Sequence, residues 1–499
     1  MPNRSVSNHS STNRSPGRRL IAASIAVAVL AAGCVGGDRQ VTAESDERTD
    51  SDIAADTNST TTTEAPTGTP GADTIGDPYY PGLGNGGYDV EHYDITITAD
   101  PASPDITGRA TIESVATQDL SQFNLDLNGL AVHAVDVDDE AVEYSRQPAA
   151  GLSSELVVTP TEPIAEGDTF TTSVDYSGTP QPVIEASTGF TLGWNDTVDG
   201  SYVTSEPDGA RSWFPSNDHP SDKATFGFEF IVPEGVEVAS NGSLAPLVDN
   251  GDGTTTWAWD MDQPMATYLA TAVIGQYEIE EPPPAGEVTI RNFFPVGMTE
   301  APAAFARTGE MIEYFSSIFG DYPFDEYGVV VVPAFLGFAL ETQTMSVFGR
   351  DLVGIEAVVV HELAHQWFGN SVSPARWQDI WLNEGFATYS EVLWQEHLDP
   401  TFDPDVALEA SAQLEPIGDP GPDNLFSRAV YQRGALVLHE LRRTVGDEAF
   451  FDTLRAWNID YRYSTATTQD FVTLAEQVSG MDLATQFDAW LNAPQFPTD

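Results

Sequence analysis

The chain runs to 499 residues, 41% of them apolar, which is enough for two or three domains with substantial cores and unlike a fibrous or wholly disordered polymer. Lys and Arg total 20 against 77 Asp and Glu, a formal net charge of −57, and Lys223 is the one lysine. Such a surface repels nucleic-acid phosphates and excludes nucleic acid as a partner, while the single cysteine, Cys34, excludes an internal disulfide framework and any multi-thiolate metal site.

Residues 1–34 carry the marks of an export signal. Arg4, Arg14, Arg18 and Arg19 form a basic leader ahead of the apolar run Leu20–Gly33. That run is 14 residues long, short of the ~20 that a spanning helix needs, and fits the apolar segment of a signal peptide. It ends on Ala31-Ala32-Gly33 directly before Cys34 and resembles a bacterial lipobox, with the usual leucine, Leu30, displaced one place. The expectation is a lipoprotein signal peptide, lipidation of Cys34, and an exported, extracytoplasmic protein held to the bacterial cell membrane by a lipid anchor. Residues 35–77 are rich in Asp, Glu, Ser, Thr, Gly and Pro with few large apolar side chains, so they are expected to form a disordered acidic tether.

From 78 to 280 short runs alternate apolar with polar residues, as in Tyr93–Thr98, Glu155–Thr159 and Phe226–Val232, punctuated by Gly, Pro and Asp. This period of two predicts an antiparallel, β-sandwich-like domain. The proline run Pro282–Pro284 marks a joint, and 281–499 then reads as a second domain. One strand region (327–332) precedes helical patterns over about 352–369, 380–397, 427–443 and 450–458, with a last helix around 487–491. The fold class is therefore α+β and multidomain: a β domain, then a mainly helical domain with a small sheet.

The second domain contains His361-Glu362-Leu363-Ala364-His365 inside a helical run. Residues i and i+4 share one helix face, so both imidazoles can bind one zinc ion, with Glu362 placed to act on water beside it. A catalytic zinc takes three protein ligands and keeps a fourth position open. Glu384, separated from His365 by 18 intervening residues and on the next predicted helix, can supply the third ligand once the loop Asn370–Gln378, with Gly369 and Pro374, turns the chain back. A ligating histidine normally donates its other N–H to a carbonyl or a carboxylate, and Asp379 or Glu391 could serve.

His361–Gly369 followed by Asn383–Ala387 closely resembles the zinc aminopeptidases of the aminopeptidase N type, in the gluzincin group. The similarity spans about 77–497 and includes Asp77–Asn85 and Ala210–Pro215 in the β domain. It implies a thermolysin-like catalytic domain, one Zn²⁺ ion, and peptide substrates with a free N-terminus. Tyr431, in Tyr-Gln-Arg-Gly-Ala, matches the family tyrosine that donates to the oxyanion, with Arg433 replacing lysine. Phe338–Thr342 aligns with the family's Gly-Ala-Met-Glu-Asn segment, departing at three of five positions but keeping Glu341, an α-amine ligand. Glu206 matches a second amine-binding acid from the β domain. The resemblance also implies a chain lacking the family's C-terminal helical domain and so a more open cleft. An endopeptidase or other amidohydrolase with an open cleft, and a non-catalytic peptide-binding lipoprotein, are the competing readings.

Overall fold

A computed structural model describes residues 67–148, 154–185 and 187–497. Cys34, the leader and the first part of the expected tether lie outside these residues.

The first half is sheet-rich. Its largest sheet centres on Lys223–Pro233, Tyr88–Ala99, Ile106–Ala116 and Thr169–Gly178, hydrogen-bonded in that order. Every second side chain of these strands is buried, as the alternating sequence requires. In Lys223–Pro233 the inward residues Phe226, Phe228 and Phe230 stack at 5.5 and 6.0 Å. The pair Lys223–Pro233 with Tyr88–Ala99 is parallel within an otherwise antiparallel sheet, a pairing that local periodicity does not encode because the partners are far apart in sequence. A four-stranded sheet (Thr69–Pro70, Leu120–Asp126, Ser154–Thr159, Glu143–Pro148) and a five-stranded one that includes Ser201–Thr204 complete this half.

Two expected boundaries move. Thr69–Pro70 pairs with Leu120–Asp126, and Asp77 is 4% exposed, so the ordered fold begins within the stretch assigned to the tether. Asp77 accepts hydrogen bonds from the amides of Tyr79 and Trp377; a short polar segment is held here by tertiary partners rather than by apolar content. At the other end, Tyr277–Glu280 pairs with Asn292–Pro295 in the sheet of the second domain. The proline run therefore lies inside a hairpin of that sheet, and the joint falls one strand earlier than 280.

The second domain has a six-stranded sheet with parallel Glu326–Val332 and Met345–Gly349 at its heart and the short strand Ala339–Leu340 on its edge. Helices Glu356–Ala364, Trp381–Leu398 and Arg428–Val445 follow, called here the histidine, glutamate and tyrosine helices. The histidine helix ends earlier than its apolar pattern, because the backbone turns at Gly369, where φ is +121°. Among the described residues no helix is long and apolar enough to cross a membrane.

Two contacts fix the frame around the site. Lys223 reaches out of the β domain to donate to the carbonyls of Asn370 (2.8 Å) and Ser371 (3.0 Å), just beyond the histidine helix. The glutamate and tyrosine helices meet at Gly385 and Gly434, where a Cβ on Gly434 would lie 2.7 Å from the Gly385 Cα. No side chain fits there. Arg433 beside it is fully buried and donates to the carbonyls of Trp490, Leu414 and Ala493, tying the last helix to the tyrosine helix.

Gly434→Ala should force these helices apart, lowering stability by about 1–3 kcal/mol, as overpacking against backbone does. Zinc occupancy should fall with it, because Glu384 adjoins the contact. Denaturant titration together with metal analysis checks both.

Candidate active site

The histidine helix presents His361 and His365 one turn apart, their rings 4.7 Å apart between centroids. The glutamate helix packs beside it and brings Glu384 Oε2 to 3.0 Å from His361 Nε2 and 3.5 Å from His365 Nε2. All three residues are buried, and their ligand atoms lie within 4.8 Å of one another. Two imidazoles and a carboxylate converging in this way form the donor set that a catalytic zinc takes, and they leave one coordination position open. A second grouping, Glu341, Glu362 and His365, has the same compactness. It suits a metal less well: the His365 nitrogen nearest Glu341 is Nδ1, at 4.0 Å, and Nδ1 is already 3.0 Å from the Phe368 carbonyl.

The outer nitrogens settle the choice left open by sequence. His361 Nδ1 faces Glu391 at 2.9 Å, whereas Asp379 accepts from Arg376 and Thr468 instead. Glu391 lies two turns beyond Glu384 on the same helix, so one helix supplies both the inner and the outer carboxylate.

Electrostatics in the metal-free site follow from crowding. Burial pushes Glu362 up to about 8 despite both histidines, with Glu341 and Glu384 adding to the rise. Glu384 goes the other way: burial raises it, but the two imidazoles outweigh burial and hold it at about 2. Burial alone would lower His361 and His365, yet the surrounding carboxylates hold both above the ordinary imidazole value.

Glu341 and Glu206, from different domains, lie buried near the same ligand set. Glu341 follows the edge strand and is 2% exposed, Glu206 is 8% exposed, and each has a buried Oε1 without a hydrogen-bond partner. Burial, then repulsion by Glu341, Glu384, Glu362 and Glu185, raises Glu206 well above the carboxylate range. Tyr431, on the tyrosine helix, stacks on His361 at 5.7 Å. Burial and the adjacent glutamates keep its phenol protonated.

Sequence reasoning missed the residues that hold Glu341 in place. Gln366 and Asn370, just after the second histidine, donate to the Glu341 carbonyl at 3.0 and 2.7 Å, and Gln366 Oε1 accepts from the Thr344 amide. The only sequence signal was their position next to the histidine motif. The five-residue segment that departs from the family pattern is thus clamped through its backbone, which its altered side chains do not disturb.

Residues 303–490 match the family pattern described as the peptidase family M1 domain, and 89–269 match the peptidase M1 N-terminal domain. The M1 zinc metallopeptidase of Deinococcus radiodurans superposes with a TM-score of 0.79 at 31% identity, over 85% of this chain and 99% of that one. Aminopeptidase M1 of Arabidopsis thaliana is 25% identical over 82% of this chain and 50% of its own length. Aminopeptidase N of Lactococcus lactis is 29% identical over 58% of this chain and 38% of its own. The chain spans about half, or less, of the length of these curated relatives. It belongs to peptidase family M1, and its cofactor is one Zn²⁺ ion.

Because the surrounding carboxylates hold His361 and His365 above the ordinary imidazole value without metal, zinc competes with protons for them. Zinc affinity should therefore rise with pH and fall in acid. Calorimetry at pH 7 in buffers of different ionisation enthalpy should show at least one proton released per ion bound; zinc binding without proton release would contradict this electrostatic picture.

Proposed function

We propose that the protein is a zinc aminopeptidase that hydrolyses the first peptide bond of substrates with a free N-terminus. The observation that carries this reading is the pair of buried carboxylates, Glu206 and Glu341, each with an oxygen that has no hydrogen-bond partner, close enough to Glu384 and to each other to repel. An ammonium group is the complement of such a site: it supplies donors to both acids and offsets their repulsion. The Deinococcus protein, determined with a Tyr-Ser-Ala substrate bound, is a relative whose ligand is of the same class.

His361, His365 and Glu384 hold the metal. Zinc bound there would act as a Lewis acid and lower the pKa of coordinated water toward ~7. Glu362 projects from the same helix as the two histidines but is not needed as a ligand. Its raised proton affinity suits a base that takes a proton from the attacking water and returns it to the leaving amine. The substrate backbone would lie along Ala339–Leu340, the edge strand of its sheet, where an extended peptide can add as a further strand. Glu206 and Glu341 hold its ammonium, which places the first carbonyl at the water. Tyr431 donates its hydroxyl proton in a hydrogen bond to the developing oxyanion, a contribution of ~3 kcal/mol. Cleavage is terminal because the carboxylate pair closes the site beyond the first residue.

We also propose export and membrane anchoring through a lipid on Cys34. The basic leader, the apolar run and the small residues before the lone cysteine support it. Cys34→Ser should move the expressed protein from the membrane fraction to the soluble fraction.

The decisive comparison is release of the first residue from short peptides and from their N-acetylated forms by zinc-loaded protein. Wild type should cleave only the free peptides. Glu362→Gln should retain zinc and lose about 10²–10⁴-fold in kcat. Glu206→Gln should retain zinc and lose kcat/KM chiefly through KM. Equal cleavage of blocked peptides would discard the amine-binding role and point to an endopeptidase.

A further inference from the structure

An aromatic pair from the two domains borders the edge strand. Ala339–Leu340 pairs on one side with Met345–Gly349, Ala339 opposite Phe348 and Leu340 opposite Val347. Phe338 extends this strand by one residue, since its carbonyl accepts from the Gly349 amide. It is also a position at which the segment departs from the family pattern, a large ring standing in place of glycine. That ring meets Phe190 of the β domain at 4.7 Å between centroids, with the planes inclined by 39°. The spacing is that of a favourable aromatic pair. Both rings are half-buried and stand outside the hydrophobic core.

Each ring is carried by a turn that polar groups close without its help. Phe190 directly precedes the strand Thr191–Asp196, which pairs with Val183–Ile184 and with Ser201–Thr204, the strand leading to Glu206. The Glu185 carboxylate accepts from the amides and hydroxyls of Ser187 and Thr188, and the Thr188 hydroxyl accepts from the Phe190 amide. On the catalytic side, Asp351 accepts from the amides of Leu336 (3.1 Å) and Gly337 (3.2 Å). Gly337 has a φ of +78°, and a Cβ there would lie 3.8 Å from the Phe190 ring. The two phenylalanines are therefore held firmly in place, yet neither turn requires an aromatic residue. What they add is an apolar wall beside the end of the edge strand.

The register of a peptide on that strand is set by its ammonium. With the ammonium at Glu341, an extended chain runs back past Leu340 and Ala339 toward Phe338. Its first residue lies abreast of Leu340, its second of Ala339 and its third of Phe338. Residues abreast of one another project to the same face of a sheet, and their side chains touch.

We propose that Phe338 and Phe190 form an apolar subsite for the side chain of the third substrate residue, so that peptides with a large aliphatic or aromatic residue there are preferred. The inference rests on the aminopeptidase reading, because the ammonium site fixes the register. An acidic third residue should be refused: the wall offers it no donor, and Glu185, whose amide donates to the Phe190 carbonyl, lies at the base of the turn.

The test uses zinc-loaded, whole protein and the C-terminally amidated tetrapeptides Ala-Ala-Xaa-Ala, with Xaa Phe, Leu, Ala, Ser or Asp. Initial loss of the first alanine is followed by mass spectrometry. Phe and Leu should exceed Ser by about ten-fold in kcat/KM, chiefly through KM, with Asp the poorest. Phe190→Ala should reduce the Phe-to-Ser ratio several-fold, and Phe190→Leu should keep most of it, both with wild-type zinc content. A flat profile at the third position, a preference confined to the first or second position, or a ratio unchanged in Phe190→Ala would overturn the subsite while leaving terminal cleavage intact. Internal cleavage of the N-acetylated series at equal rate would instead overturn the aminopeptidase reading, and this register with it.

Discussion

The constraint on which the structure turns is the burial of Glu206, Glu341, Glu362 and Glu384 close to one another with only two imidazoles among them. Each of these carboxylates is buried, and three of them are driven toward the neutral form by desolvation and by one another. Such a cluster opposes folding in isolation, because charge taken out of water must be neutralised or paired. On the proposed reading, the same imbalance is relieved by cations of two kinds: a divalent metal at Glu384 and the histidines, and an ammonium at Glu206 and Glu341. Selectivity for a peptide N-terminus would then be the chemical complement of the frustration, not an added device.

The scaffold has to hold those acids together against their repulsion, and it does so from both domains. The edge strand bearing Glu341 is clamped by Gln366 and Asn370 through its backbone carbonyl, so the clamp does not depend on the identity of neighbouring side chains. Gly385 and Gly434 allow the glutamate and tyrosine helices to touch at backbone distance, which places Glu384 and Tyr431 on the same metal centre. The β domain contributes Glu206 and secures the loop after the histidine helix through Lys223, while Asp77 secures the Trp377 amide. It is notable that the only lysine of so acidic a chain is engaged at this junction rather than at the surface.

Two levels of acidity are therefore present. The surplus of Asp and Glu on the outside is solvated and governs solubility and the approach of cationic ligands. The buried surplus is local and structured, gathered around the histidines. Net charge does not distinguish them, because it counts residues without regard to burial.

Much of the catalytic centre was legible in the linear chain. His361, Glu362 and His365 lie within one helical turn or so, and Glu384 needs only one loop reversal, so a 3.6-residue period and a turn at Gly369 suffice to bring them together. Tyr431, Glu341 and Glu206 had no such local logic and were approached only through resemblance to a family. What decided the rest was pairing between segments distant in sequence. The selection of Glu391 over Asp379, the burial of Asp77, the parallel pair in the large sheet and the hairpin spanning the proline run all belong to that class. Periodicity and spacing act over a turn or a strand. Register, desolvation and the pairing of buried charges are properties of the assembled fold, and they are set only when its segments close on one another.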